Sequence, residues 1–112
     1  MQLEVKTMSQ SVITIALDGR LDVFGAGEID APFSAVAAAN KGVIVDLSRV
    51  SFLASIGVRV LLNAAKVVRR RGGRLVLVHP VPDVERVLEV TGVGELMPVY
   101  HDSASAFAAV TQ

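Results

Sequence analysis

Residues 43–78, VIVDLSRVSFLASIGVRVLLNAAKVVRRRGGRLVLV, decide the fold of this chain. The stretch opens with a short, continuous apolar run at 43–47, which is typical of a strand buried on both faces. A helical period follows over 55–71 and stops at a glycine pair, and a second buried strand is predicted at 74–79. Two buried strands joined by one helix indicate a parallel crossover in a sheet that helices cover.

The predicted helix at 55–71 has two distinct faces. Its apolar residues recur largely at spacings of three and four, which is the period of one buried stripe. The stripe consists of Ile56, Val60, Leu61, Ala64, Val67 and Val68. The polar residues on the opposite face are Arg59, Asn63, Lys66 and Arg70. We expect this second face to be exposed.

Upstream of this stretch, the pattern predicts a hairpin followed by a helix. Residues 2–7 alternate between apolar and polar, and residues 11–17 are rich in β-branched side chains, so both are predicted strands. The tripeptide DGR at 18–20 is a turn signal and is expected to close the second strand. A helix is predicted over 25–39, because its apolar residues recur at spacings of three and four.

Downstream, the chain is predicted to add a helix at 83–92, an edge strand at 96–100 and a final helix at 101–110, capped by Asp102 or Ser103. The complete order is β-β-α-β-α-β-α-β-α. It predicts an α/β fold with a mixed, mostly parallel sheet of about five strands and about four helices packed on it. With 112 residues, we expect a single domain over 1–112.

Composition and charge exclude several classes of function. Lysine plus arginine equals aspartate plus glutamate at eleven each, so the chain has no global charge for binding nucleic acid or an anionic membrane. Aromatic residues make up only 4%, too few for base-stacking platforms. The absence of cysteine excludes thiol chemistry and disulfides. With no secretion signal and no apolar run near the roughly 18 residues of a membrane helix, we expect a cytoplasmic protein.

Ser55 is the principal candidate for a functional residue. It lies between a predicted strand and a predicted helix, where a serine commonly caps the helix and stabilises it by about 1 kcal/mol. The free N–H groups and the positive end of the helix dipole at such a position also suit a phosphate. The two interpretations are compatible, because a capping serine can also be modified.

Three residues around Ser55 have competing interpretations. Gly57 permits a close approach, either in packing or to a partner, or is a tolerated small residue. Asp22 and Asp46 are predicted in loops that follow strands, near Ser55, where each could orient the serine, bind a cation or cap a loop. Two acids without a nearby histidine or lysine do not indicate an enzyme.

The two histidines are isolated in the sequence, so we expect no metal site and no cofactor.

Residues 43–78 strongly resemble the STAS family, named for sulphate transporters and anti-sigma factor antagonists. The resemblance covers nearly the whole chain. IALDGRLDVFGAGEI at 15–29 is similar to the family's early G-x-L-D segment, and DVERVLEVTGVGELMPVY at 83–100 is similar to its tail. The specific part is the order of a strand, the tripeptide DLS, a loop and a serine at the start of a helix.

The resemblance implies a partner and a regulatory cycle. In stand-alone members, a serine kinase that is also an anti-sigma factor binds the unmodified domain and phosphorylates a Ser or Thr at the start of the central helix. A PP2C-type phosphatase reverses the modification. Ser55 aligns with that acceptor, in a domain expected to be a monomer or weak dimer. The expected partner surface comprises Asp22, Asp46, Ser48, Ala54, Ile56, Gly57, Arg59 and Asn63.

Two positions depart from the family pattern. The family usually has Asp directly before the acceptor, whereas this chain has Ala54. The missing carboxylate could alter the orientation of the serine or its recognition by the kinase. Its absence also removes a negative charge that would repel a phosphate. Arg59 lies where small residues are frequent, one turn beyond Ser55, where it could pair with a phosphate.

The missing Asp leaves open an alternative function, a constitutive, non-phosphorylated interaction domain. A carrier of nucleotides or lipids, as associated with a few STAS-like domains, is a third hypothesis.

Overall fold

The computed structural model describes residues 1–111, which form strands and helices in the predicted order. The strands are β1 (Gln2–Ser9), β2 (Val12–Leu21), β3 (Gly42–Leu53), β4 (Arg74–Val78) and β5 (Val99–Tyr100). The helices are α1 (Val23–Ala38), α2 (Ser55–Arg70), α3 (Pro82–Thr91) and α4 (Ser103–Val110). Within this range no helix combines the length and the apolar character needed to cross a membrane.

The strands form one sheet in the order β1-β2-β3-β4-β5. β1 and β2 are antiparallel, and each later pair is parallel. The expected mixed, mostly parallel sheet is therefore confirmed. The edge strand expected at 96–100 is shorter than predicted and contains only Val99–Tyr100. Asp102 is the N-cap of α4, where its carboxylate accepts the N–H of Ser105 at 2.7 Å.

Helices cover the two faces of the sheet unequally. α1, α2 and α3 pack on one face, and their buried side chains, such as Phe33 of α1, share one core with the strands. α4 packs on the other face, over Ile44, Val76 and Val78. The contacts of α4 are mainly with β3, β4 and β5. The half of this face that β1 and β2 form is therefore more exposed, and its side chains are largely polar.

β2 and β3 are longer than predicted, and this difference positions the functional site. The expectation that DGR at 18–20 closes β2 is wrong, because β2 continues to Leu21. Gly19 has a φ of +128°, and the register of β2 with β3 shifts between Gly19 and Arg20. The glycine therefore lies in an irregular part of the strand pair and not in a turn that reverses the chain. β3 likewise continues to Leu53, where it pairs with Leu21.

Candidate functional site

The site is built where β2 and β3 end together and two helices begin. The backbone N–H of Ala54 donates to the carbonyl oxygen of Leu21 at 3.0 Å, directly beyond the last strand pair. α1 begins one residue after Asp22, and α2 begins at Ser55. The expected proximity of Asp22 to the start of α2 is therefore confirmed.

The interpretation of Ser55 as a helix cap is wrong. The N-cap of α2 is Ala54, which has an extended backbone and whose carbonyl oxygen accepts the N–H of Val58 at 3.1 Å. Ser55 is the first helical residue, and its side chain is exposed and takes part in none of the side-chain hydrogen bonds within residues 1–111. Because Ala54 has no side-chain acceptor, α2 begins without a side-chain cap. Its first turn also contains no acidic residue. Its first N–H groups therefore have no side-chain acceptor, and the positive end of its dipole lies beside the Ser55 hydroxyl.

α1 begins in the opposite way, with a fully formed cap. The Oδ1 atom of Asp22 accepts the N–H of Phe24 at 3.1 Å and that of Gly25 at 2.9 Å. The hydrogen bond from Gly25, followed by that from Phe24 and by the Arg20 guanidinium, holds the pKa of the Asp22 carboxyl below its ordinary value despite an opposing effect of desolvation. Asp22 is therefore a capping carboxylate, one of the roles the sequence left open.

Gly57 brings the first turn of α2 into direct contact with β2 and β3. A Cβ atom at this position would lie 2.8 Å from the carbonyl oxygen of Leu21 and 2.9 Å from Cδ1 of Leu53. The interpretation as a tolerated small residue is therefore wrong, since no larger residue fits without a shift. Gly57 is buried, so it positions Ser55 from beneath and does not itself present a surface to a partner.

The polar face of α2 is exposed, as predicted. Arg59 lies one turn beyond Ser55, and Asn63 lies one turn further. Both side chains are exposed, whereas Ile56 is half-buried and packs against the core. A partner that reaches Ser55 therefore meets a short row of polar side chains along α2.

Two residues of the predicted partner surface lie elsewhere. Asp46 and Ser48 are in the interior of β3, which continues for seven residues beyond Asp46 to Leu53. The Oδ1 atom of Asp46 accepts the N–H of Ser48 at 2.9 Å, and both residues line a shallow polar depression with side chains of β1 and β2. The expectation that Asp46 lies in a loop near Ser55 is wrong, because a segment that resembled a loop is the second half of a long strand.

An apolar surface that the sequence pattern did not predict lies next to the site. Val23 and Phe24, the first two residues of α1, are 63% and 79% exposed. The buried side of α1 carries Ala26, Ile29 and Phe33 at spacings of three and four. Phe24 falls outside that period, which is the signal that could have identified it as an exposed aromatic side chain.

A second exposed aromatic side chain lies on β3 near its end. Phe52 is 40% exposed, and the guanidinium carbon of Arg20 lies 4.3 Å from the centre of its ring. The Nε atom of Arg20 also lies 3.5 Å from Oδ2 of Asp22. Arg20 therefore links the aromatic ring on β3 to the carboxylate that caps α1.

The histidines are not isolated in the structure. The Nε2 atom of His79 lies 3.2 Å from Oγ of Ser103, and Nε2 of His101 lies 2.8 Å from Oε2 of Glu85. Across the described part of the chain, no three His, Asp or Glu side chains are grouped so that they could hold a metal ion.

Comparisons with known proteins agree with the fold and the sequence pattern. The family model of the STAS domain matches residues 4–106. BtrV of Bordetella bronchiseptica, named as a candidate anti-sigma factor antagonist, is 32% identical over 99 residues, which cover 88% of this chain and 85% of BtrV.

Solved structures give the same result. An anti-sigma factor antagonist from Mycobacterium paratuberculosis superposes with a TM-score of 0.88 at 25% identity, covering 99% of this chain and 94% of that one. The anti-sigma factor antagonist SpoIIAA in its unphosphorylated form superposes with a TM-score of 0.80 at 24% identity, covering 96% of each chain. SpoIIAA has also been solved in its phosphorylated form, which superposes with a TM-score of 0.73 at 24% identity, covering 96% of this chain and 99% of that one.

Proposed function

Since this chain belongs to the STAS domain family, we propose that it is an anti-sigma factor antagonist whose partner binding is switched by phosphorylation of Ser55. In its unmodified form it binds a serine kinase that also acts as an anti-sigma factor, and this binding releases the kinase's other client. Phosphorylation of Ser55 ends the interaction, and a PP2C-type phosphatase restores it. The chain acts in the cytoplasm as a regulator and not as an enzyme.

The observation that carries this proposal is the exposed, unpartnered hydroxyl of Ser55 at the first position of an uncapped helix. A kinase can reach this hydroxyl without breaking a hydrogen bond of the fold. The free N–H groups at the helix start and the guanidinium of Arg59, one turn away, are suited to stabilise the added phosphate. The absence of a carboxylate at Ala54 removes a charge that would oppose it.

A phosphate at this position alters the binding surface more than the fold. It adds a charge of roughly −1.5 to −2 at neutral pH. Within a closely packed interface such a group is desolvated or repelled, at an expected cost of about 2 kcal/mol or more, which is roughly thirtyfold in affinity. That factor is large enough to exchange one partner for another.

The apolar surface formed by Val23 and Phe24 supports the binding half of the proposal. Large exposed aromatic side chains next to a functional site commonly act as anchors in protein interfaces. These two residues begin α1, and α1 begins beside α2 because of the bond between Ala54 and Leu21. The relatives named as anti-sigma factor antagonists support a regulator as the partner.

The direct experiment is a binding measurement with the cognate kinase and three variants. Ser55→Ala keeps the affinity of the unmodified chain, and Ser55→Asp weakens it by about thirtyfold. Ser48→Asp is the matched control, because Ser48 is an exposed serine on β3 well before the site. Equal affinities of Ser55→Ala and Ser55→Asp would overturn the switch. A separate measurement, the intact mass of the chain from its native cells, would reveal whether Ser55 carries a phosphate.

A second function is a constitutive interaction domain, which Ala54 favours. In that case Ser55 has no regulatory role, and the chain binds its partner in a single state. Ser55→Ala would then leave both the melting temperature and the cellular output unchanged. The switch predicts instead that the output changes while the melting temperature stays within a few degrees.

A further inference from the structure

β1 is an unpaired edge of the sheet. Its eight residues, Gln2–Ser9, pair with β2 along one side, and no other strand within residues 1–111 pairs with its other side. The strand contains no proline, and its register with β2 is regular from Gln2 to Thr7. Its outward N–H and C=O groups are therefore available to another extended strand.

Seven of the eight residues of β1 are exposed, and only Leu3 is half-buried against the core. Val5 is 42% exposed and Met8 is 41% exposed, although both are apolar. Glu4 and Lys6 are exposed on either side of Val5, and neither forms a salt bridge with any other residue of the described chain. The edge thus carries one negative and one positive charge, symmetrically placed about a valine.

This arrangement is complementary to itself in one antiparallel register. In a two-fold antiparallel pair of identical strands, opposite residues have side chains on the same face, so the axis must lie midway between one residue and the same residue of the second copy. An axis at Val5 places Glu4 opposite Lys6 of the second copy, twice, and the two Val5 side chains opposite each other. An axis at Glu4 or at Lys6 would instead place two like charges opposite each other, which is unfavourable.

We propose that this chain forms a homodimer through antiparallel pairing of β1 with β1 of a second copy, with the two-fold axis at Val5. The pairing joins the two sheets into one and covers Val5 with its counterpart. Each Ser55 lies at the end of β3, two strands from the shared edge, and the two-fold axis places the two serines at opposite ends of the joined sheet. The dimer therefore leaves both Ser55 sites open, and the proposal does not depend on their phosphorylation.

The test is a set of charge exchanges, measured by sedimentation equilibrium over a series of protein concentrations. Glu4→Lys gives two positive charges on β1, and Lys6→Glu gives two negative charges. Each single variant is expected to dissociate at least about tenfold more readily than the unmodified chain, because both symmetric pairs become repulsive. The double variant, Glu4→Lys with Lys6→Glu, restores self-complementarity and the original affinity. A mixture of the two single variants forms a heterodimer.

The same variants provide their own folding control. Glu4 and Lys6 are exposed, so all three variants should keep the melting temperature of the unmodified chain at a concentration where each is monomeric. Amide hydrogen exchange should slow in β1 as the concentration rises. An unmodified chain that stays monomeric at every concentration would overturn the proposal. This would hold even if β1 accepted a strand from a different protein. A dimer that is insensitive to the charge exchanges would also overturn it, because it would use another surface.

Discussion

The backbone N–H of Ala54 donates to the carbonyl oxygen of Leu21 at 3.0 Å, and this bond places the starts of α1 and α2 side by side. One of these helices is capped by Asp22, and the other has no side-chain cap. The residue that would supply the missing cap also precedes the proposed phosphate acceptor. The stability of α2 and the charge around Ser55 are therefore determined at the same position.

Ala54→Asp is expected to stabilise the unmodified protein by about 1 kcal/mol, because the carboxylate can accept an N–H group at the start of α2 and interacts favourably with the helix dipole. Urea unfolding measures the gain as a higher midpoint with an unchanged slope. Ala54→Asn is the matched control, since an asparagine caps without a charge and separates the hydrogen bond from the dipole effect. A midpoint that does not rise in either variant would contradict the assignment of Ala54 as the N-cap.

Gly57→Ala is expected to destabilise the fold by about 1–3 kcal/mol, because its Cβ would collide with the backbone of Leu21. Gly27→Ala is the control within α1. No atom lies within 4 Å of a Cβ at Gly27, so the alanine there should stabilise the helix by roughly 0.5–1 kcal/mol. Thermal unfolding of the two variants should therefore shift in opposite directions. A rise in the unfolding temperature of Gly57→Ala, as expected for Gly27→Ala, would mean that Gly57 has no packing role.

Phe24→Ala is expected to weaken binding of the regulator by about 2 kcal/mol, the loss typical of an aromatic anchor in an interface. The melting temperature should hardly change, because 79% of the side chain is exposed. Val90→Ala tests whether any exposed apolar residue has this effect, since Val90 is 81% exposed on α3. Titration calorimetry should find the affinity of the Val90 variant unchanged. An equal loss in both variants would remove the evidence for an anchor at Phe24.

Arg59→Gln is expected to reduce the stability that phosphorylation of Ser55 adds, by roughly 0.3–0.5 kcal/mol, the size of a pair one turn apart on a helix. The quantity to compare is the difference in unfolding free energy between the phosphorylated and unmodified forms of each variant. Arg70→Gln, at the far end of the same helix, should leave that difference unchanged. If the two variants behave alike, Arg59 does not contact the phosphate.

The capping role of Asp22 predicts how stability depends on pH. The pKa of Asp22 is lowered by folding, so the carboxylate stabilises the fold above its unfolded-state pKa of about 3.9. This contribution is lost as the pH falls through the lower, folded-state pKa. Asp22→Asn keeps a cap that does not titrate, so its unfolding free energy should decline less steeply below about pH 4 than that of the unmodified chain.

Asp102 allows a check on this pH prediction. Hydrogen bonds from the N–H and hydroxyl of Ser105 lower the pKa of the Asp102 carboxyl at the start of α4. Asp102→Asn should therefore also flatten the acid limb of the stability curve. The effects of the two substitutions should add, because they act at different helix starts. Parallel acid limbs for the single variants and the unmodified chain would contradict both caps.

The order of the elements was predictable from the sequence because alternating, β-branched or continuous apolar segments indicate the strands, whereas spacings of three and four indicate the helices. The pattern over 55–71 also predicted which face of α2 is exposed, and Asn63 and Arg59 lie on that face. Resemblance to the STAS family placed Ser55 at the start of the central helix. These features depend on local sequence, which a single chain provides.

The features that the sequence did not predict depend on pairing between distant segments. A glycine after an aspartate is equally compatible with a turn and with an irregular strand. Only the pairing with β3 shows that Gly19 lies in an irregular strand. The length of β3 follows from the same pairing, and with it the location of Asp46. The start of the helix at Ser55 was predicted correctly, but serine is a common capping residue, so the sequence did not reveal that Ala54 is the cap.

The unequal lengths of β3 and β4 have a consequence for self-assembly. The last residue of β3 that pairs with β4 is Asp46, and the pairs recorded for β3 beyond it are with β2 alone. This portion of β3 is therefore a further strand edge besides β1 and β5, yet it contains register shifts and the exposed polar residues Ser48, Arg49 and Ser51. Irregular strand edges resist aggregation because a flat strand cannot dock along them. Strand addition is therefore disfavoured at the end of the molecule that carries Ser55.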